Sequence, residues 1–494
     1  MKEKSTKKYG FLMCLALVLG TVIGVGIFFK NAGIYGSVGG NGILGITAWA
    51  LGGVVAICFG MSFMEIASVK QDSNSGIALY AKIFINSKMG RVVRHAMANV
   101  YIPIIVFTVA YYTTQASIWA IGGGQKANDI VANAVGGPAV FQLIVTVFAM
   151  IYTIFLVLMI SYQESFSKWV QMITVVLKII PLILVGIAGL FIVNTDAGAF
   201  NKSGLGDVNV IKAVANKTQI ELLLIALPAV LFSFDGFLMT TFIQHDVRNA
   251  RRNVPLSLAV GLTLITLLYV IVSIGTLNLT PTGSVAVAIT KIFRDPIVNQ
   301  VFSRILFILI FISAFGTLNG ITLAMLKLNR SCIEDQFLIG NTLWQRINLK
   351  VGTKLTNIML TLGLVLIWGL TMGLPSIISQ GKVDFIDYVS NGAVVMAFFF
   401  YGLIIFFGLL NRFRKKVKTN KVWYFIFAAI ISILFIILIL GYKIYNVFIG
   451  TITASSETVL TETLKLVVLI LVLGLPWLGI LIKDDETRKL LIKK

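Results

Sequence analysis

The chain has little of what a soluble or catalytic protein carries. Only 12% of its 494 residues are charged, about half the share usual in globular domains. Together with the abundance of apolar residues, that excludes a water-soluble enzyme and a disordered chain. Three cysteines, Cys14, Cys58 and Cys332, are odd in number and lie in or beside apolar runs. They offer no disulfide framework. The two histidines, His95 and His245, are too few to build a zinc site with them. No phosphate-binding glycine loop is present, so ATP is not expected as a direct energy source, and no cofactor is expected. Acidic residues number 20 against 41 Lys and Arg, giving +21 and a pI of about 9.8. These cations sit in short segments between apolar runs, with no basic, aromatic-interleaved domain, so nucleic acid is not an expected partner.

What remains is apolar. The hydrophobic share is 57% and the mean hydropathy +0.93. Twelve runs long enough to cross a bilayer fall at about 11–36, 43–68, 96–121, 138–161, 166–193, 219–244, 255–278, 298–327, 355–374, 386–410, 422–443 and 463–482. The first follows a basic tail and is too long for a signal-peptide core, so it reads as a retained span. With the N-terminus placed inside, about 29 Lys and Arg fall on inner segments and about 11 on outer ones, leaving Lys178 within a span. That bias predicts both termini in the cytoplasm and a multi-pass protein of the plasma membrane. The expected fold is all-α and polytopic, with no room for a large soluble domain.

Two spans differ from the rest. Span 1 carries Gly24-Val25-Gly26 at mid-depth, and span 6 carries Phe232-Ser233-Phe234-Asp235-Gly236. Glycine lets backbone leave helical geometry, and unpaired backbone survives within a membrane only where it lines a cavity or is packed in protein. Breaks five spans apart suit an inverted five-plus-five repeat with the solute between two discontinuous helices. The repeats would be 11–193 and 219–410, flanked by cytoplasmic tails at 1–10 and 483–494, with two added spans over 422–482. Val22, Ile23, Gly24, Val25, Gly26 and Ile27, with Phe232, Ser233, Asp235 and Gly236, are therefore the candidate substrate-binding residues. Free N–H groups at Gly24 and beyond would take a carboxylate, and free carbonyls such as that of Val22 would take an ammonium. A bare GxG also serves close helix packing.

The segment after span 6, Asp246-Val247-Arg248-Asn249-Ala250-Arg251-Arg252-Asn253-Val254-Pro255, resembles a cytoplasmic loop of the amino acid–polyamine–organocation superfamily. Ala250 stands where that loop usually has proline. Ile23-Gly24-Val25-Gly26-Ile27-Phe28-Phe29-Lys30 is similar to the superfamily's I-G-S-G-I-F-F-K, with Val25 in place of the small residue. Phe63-Met64-Glu65-Ile66-Ala67 with Ser75-Gly76 resembles the end of its second span. Leu326-Lys327-Leu328-Asn329-Arg330-Ser331 with Glu334-Asp335 resembles the loop after its eighth. The likeness is greatest to the bacterial L-amino-acid-exchanger branch. It implies alternating-access movement of an L-amino acid through the bilayer, by exchange or proton symport, in a monomer or homodimer.

The resemblance also implies roles for single residues. Lys178 would take the place of a sodium ion, tying span 5 to broken span 1 and to span 8 near Ser313 or Thr317, and so implies sodium independence. It acts either as a fixed structural cation or as a titrating one. Phe232 would be an aromatic lid. Asp235 has two readings: a cap for the second half of span 6, which is favoured, or a contact for a substrate cation. Glu65 is expected to pair with an inner-loop arginine. Tyr111, Tyr112, Gln115, Asn319 and Asn391 are candidates for pocket lining, although such residues commonly serve interhelical hydrogen bonds. His245 reads as a loop residue. The alternatives are a polyamine or organocation carrier of the same fold and, from other classes, a membrane-embedded lipid-modifying enzyme and a channel. The first would want several pocket carboxylates, the second clustered His or acid groups, the third a filter.

Overall fold

A computed structural model describes residues 10–69, 76–192, 217–238, 247–379, 384–455 and 458–482. Helices run in the order α1 (Phe11–Val22), α2 (Val25–Ser37), α3 (Gly42–Ile66), α4 (Ile77–Phe84), α5 (Ser87–His95) and, after a π-helical turn at Ala96–Tyr101, α6 (Ile102–Gly122). Next come α7 (Lys126–Ala134), α8 (Pro138–Tyr162), α9 (Glu164–Leu177), α10 (Ile179–Phe191), α11 (Gln219–Phe234) and α12 (Ala250–Leu279). The chain finishes with α13 (Val285–Ile289), α14 (Pro296–Glu334), α15 (Asn341–Ile378), α16 (Phe385–Arg414), α17 (Phe425–Ile452), α18 (Val459–Gly474) and a 3₁₀ turn, Leu475–Leu481. Among the described residues ten helical stretches are long and apolar enough to cross a membrane. The bent pair α1–α2 makes an eleventh, α11 is a shorter apolar helix of 16 residues, and all of these fall on the apolar runs expected from the sequence. The protein is an all-α, multi-pass membrane protein.

The differences from expectation have local causes. Span 3 starts at Ser87 instead of 96, because the basic stretch before it is helical. Asn86 caps α5 through Met89 N–H, and Lys88, Arg91 and Arg94 are spread along it, Arg94 in its last turn. Span 8 runs on to Glu334, capped at its start by Asp295 through the N–H groups of Ile297 and Val298. Span 9 begins early as α15, with Gly352 at φ +81° dividing an amphipathic lead from the apolar part. Thr218 and Glu221 close a reciprocal capping box at the start of α11.

Helix association in lipid depends on close backbone approach, since lipid tails compete equally for apolar side chains. Span 5 meets span 7 this way: a Cβ on Gly189 would stand 2.1 Å from the Gly275 carbonyl oxygen. α3 packs on α11 and α12, and α11 on α2. α6 and α9 pack on α14 from other sides. This arrangement brings the interruption of span 1 against the end of α11, between spans 3, 5 and 8.

Candidate functional site

The first interruption is a change of backbone direction at Ile23 and Gly24. Ile23 is extended (φ −70°, ψ 105°), Gly24 lies at φ −152°, ψ −143°, and α1 and α2 meet at 45°. In a continuous helix the carbonyls of Gly20 and Val22 would accept from residues 24 and 26. Here both find partners elsewhere. Lys178, fully buried between α9 and α10, donates from Nζ to the Gly20 oxygen at 2.7 Å. The Tyr269 hydroxyl of α12 lies 3.2 Å from the Val22 oxygen. It is also 3.2 Å from the Ser233 oxygen near the end of α11, so a single side chain clasps both interrupted helices. The Val22 carbonyl, expected to be free, is thus already engaged.

The N–H groups that open α2 have no carbonyl behind them in the helix, and Gly24, Val25 and Gly26 border a cavity of about 580 Å³. Gly26 is where the broken spans touch: a Cβ there would stand 2.6 Å from Ser233 Cα. Opposite, α11 ends at Phe234 and Asp235 turns to extended geometry (φ −70°, ψ 163°). Gly236 follows at φ +91°, a conformation in which a side chain would be strained. Phe232, Asp235 and Gly236 line the cavity with Val22, Thr21 and Gly20. Ile23, Ile27 and Ser233 are buried behind it, outside the lining set.

The other candidates divide. Thr317 lines the cavity and lies 3.4 Å from Lys178 Nζ, while its own hydroxyl donates to the Ser313 carbonyl at 3.0 Å. The Ser313 hydroxyl is buried without a hydrogen-bond partner, so the tie from span 5 to span 8 runs through Thr317 instead. Tyr111 and Gln115 lie off the cavity. The Tyr111 hydroxyl donates to Gln142 Oε1 at 2.6 Å and also meets Gln115. Asn319 joins α14 to α9, accepting from the Ser167 hydroxyl at 2.8 Å and donating to the Ser167 carbonyl at 3.0 Å. These three serve helix association. The part of span 6 that Asp235 was expected to cap, 239–244, lies outside the described residues, as does His245. Within them the Asp235 carboxylate takes the Tyr101 hydroxyl and the Gly236 N–H.

Among the described residues the cavity opens at an exposed end. It extends to the last turns of α14, where exposed Lys327, Arg330 and Glu334 line it. The opposite end is sealed by a group that sequence reasoning missed. Lys30 of α2 is 2% exposed, and its ammonium reaches the Asp387 carboxylate, Ser390 Oγ at 3.0 Å and Asn391 Oδ1 at 2.7 Å on α16. The Phe232 ring covers the ammonium at 3.8 Å from its centroid, Tyr112 donates to Asp387 at 3.1 Å, and Phe29 stacks between Tyr112 and Trp119. Asn391 and Tyr112 therefore belong to the seal. Away from the cavity, Glu65 accepts from Arg412 Nε at 3.0 Å and Nη2 at 2.9 Å, and from the Val422 N–H at 3.0 Å, closing the segment between spans 10 and 11 onto the end of span 2.

This arrangement suits a small dipolar solute: the N–H groups of one helix start and the end of a second helix border one chamber, between an open mouth and an ionic seal. Among the described residues no group of three His, Cys, Asp or Glu is placed to hold a metal. Residues 9–475 match the family described as amino acid permease. The chain belongs to that family. It is similar, at 23% identity over 479 residues (88% of this chain, 83% of the other), to an uncharacterized protein of Mycoplasma pneumoniae. It is also similar to the serine/threonine exchanger SteT of Bacillus subtilis, at 21% over 477 residues, covering 95% of each. The b(0,+)-type amino acid transporter 1 of Mus musculus is 23% identical over 434 residues, 87% of this chain and 80% of the other. Membership makes this permease an amino acid transporter and not an enzyme.

Proposed function

We propose that this permease moves L-amino acids across the plasma membrane by alternating access, with both termini in the cytoplasm. The observation that carries the reading is the pairing of the two interruptions across one cavity. The substrate carboxylate meets the N–H groups at the start of α2, where the helix dipole adds to the hydrogen bonds. The ammonium meets carbonyl oxygens at the end of α11. Side chains of the solute extend toward Ile102, Ile105 and Val109 of α6. The bias of Lys and Arg puts the mouth on the cytoplasmic side, so this conformation releases or loads inside. The first and second sets of five spans act as the two moving halves, and the Lys30–Asp387 contact parts when the protein faces outward.

Lys178 supports sodium independence. An ammonium at mid-depth costs at least a few kcal/mol unless it is paired, and here it holds a carbonyl that the break in span 1 releases. The driving force is then exchange or a proton. A polyamine would want several carboxylates along the path, and among the described residues Asp235 alone lines its deep part, with Glu334 at the mouth. Counterflow into liposomes with a panel of labelled amino acids, with and without sodium and a pH gradient, tests the reading. Uptake of several L-amino acids, indifferent to sodium, is expected. Uptake of polyamines or sugars without any amino acid would refute it.

A further inference from the structure

Among the described residues spans 11 and 12 contribute nothing to the cavity lining, yet one of their side chains reaches its sealed end. Lys443 of α17 is half-buried. Its Nζ lies over the Tyr388 ring, 4.7 Å from the centroid, and 4.0 Å from where a Cβ on Gly392 would stand. Tyr388 adjoins Asp387 on α16 and Gly392 lies about one and a half turns beyond it, and Lys443 is in electrostatic reach of Asp387 and of Lys30. Among the described residues Lys443 pairs with no carboxylate, its ammonium resting on an aromatic face.

Asp387 is held by groups on three different helices. Its Oδ1 takes Lys30 and Tyr112, which belong to α2 and α6, and its Oδ2 takes Asn391 of its own helix. Asp384, whose side chain accepts from the Asp387 N–H, places a second carboxylate close by. If α2 swings away, Asp387 keeps Tyr112 and Asn391 but no cation, beside a neighbour of like charge, a costly state at the end of a membrane span. We propose that Lys443 is a positioning residue which takes over Asp387 as Lys30 withdraws, so that the sealed face opens by exchange of one lysine for another. Span 11 thereby gains a task in the transport cycle. Tyr388, bound through its hydroxyl to the Lys465 carbonyl of α18, keeps the receiving turn of α16 in place.

The inference rests on the transporter reading, so its test includes a measurement that needs no substrate. Spin labels at Gly33→Cys on α2 and Ile130→Cys on α7 stand on exposed positions away from the lysine–aspartate group, while the three native cysteines are buried. In membranes, the wild type is expected to show a short and a long distance, for the sealed and opened face. Lys443→Gln should lose most of the long population and Lys443→Arg should keep it. In reconstituted vesicles Lys443→Gln should weaken apparent affinity from the sealed face about fivefold and leave the mouth face unchanged. On an Asp387→Asn background Lys443→Gln should add nothing to the distance change. An unaltered distribution in Lys443→Gln, or the same loss repeated on Asp387→Asn, would overturn the proposal. Absence of amino acid uptake by the wild type would strike the transporter reading instead, and the distance data would stand apart from it.

Discussion

Gly26→Ala is the substitution on which the binding geometry is most exposed. The added methyl would stand 2.6 Å from Ser233 Cα and 2.6 Å from its Oγ, whereas carbon atoms rest at about 3.5–4.0 Å. One of the obstructing atoms is backbone, so rotating a side chain gives no escape. Spans 1 and 6 must part by about 1 Å, and such overpacking costs about 1–3 kcal/mol, or about 5- to 150-fold in an equilibrium constant. The strain falls between the N–H groups of α2 and the end of α11, so it should appear in substrate affinity. Neighbouring glycines supply the scale. At Gly20 the obstruction is Val175 Cγ2 at 2.5 Å, and at Gly24 the Thr317 side chain at 3.0 Å; both are side chains that can turn. At Gly33 nothing lies within 4 Å. The expected order of lost affinity, from counterflow KM and from binding of a labelled amino acid to purified protein, is Gly26→Ala above Gly20→Ala and Gly24→Ala, with Gly33→Ala equal to the wild type. Wild-type affinity in Gly26→Ala, at normal expression, would refute the idea that substrate sits between the two interruptions.

Other expectations concern the groups that hold the site together. Lys178→Met leaves the Gly20 carbonyl buried without its donor, so transport should fall about 5- to 150-fold at about 1–3 kcal/mol for an orphaned group, and replacing sodium by choline should change neither protein's uptake. Tyr269→Phe removes the hydroxyl from two carbonyls at once; lower thermal stability in detergent and weaker binding should appear together, and either without the other would contradict the clasp. Glu65→Ala strands Arg412 in a nearly buried pair and should cost about 3–5 kcal/mol, read as a lower melting temperature with substrate affinity preserved.

Much of this was legible because membrane spans write themselves as long apolar runs, and because Gly24-Val25-Gly26 and Phe234-Asp235-Gly236 are conspicuous within them. Lys178 was legible for the same reason, as a charge where lipid tolerates none unpaired. The seal was not. Lys30 ends a recognisable motif, but Asp387, Ser390 and Asn391 lie some 360 positions away, and nothing in one sequence links such distant partners. Tyr269 looks like any aromatic of an apolar span until the backbone reveals which carbonyls need a donor. The polar residues assigned to the pocket, Tyr111, Gln115 and Asn319, failed as lining for a related reason. Composition says that a side chain needs a partner, and only the packing decides whether that partner is a solute or another helix.

The π-helical turn at Ala96–Tyr101 carries a consequence for how this scaffold can diversify. A turn bonded across five residues is an ordinary helix holding one residue in excess. Deleting a single residue there would let the span rewind as α-helix with little change in its length or in the relative facing of the helices on either side, so the change would be confined to the turn itself. Tyr101, at the end of that turn, would lose its present alignment with Asp235, while the apolar contacts farther along α6 would stay. Gain or loss of one codon at this spot is thus a short evolutionary path between a chamber with a hydroxyl resting on its acid and one whose acid stands open to the cargo.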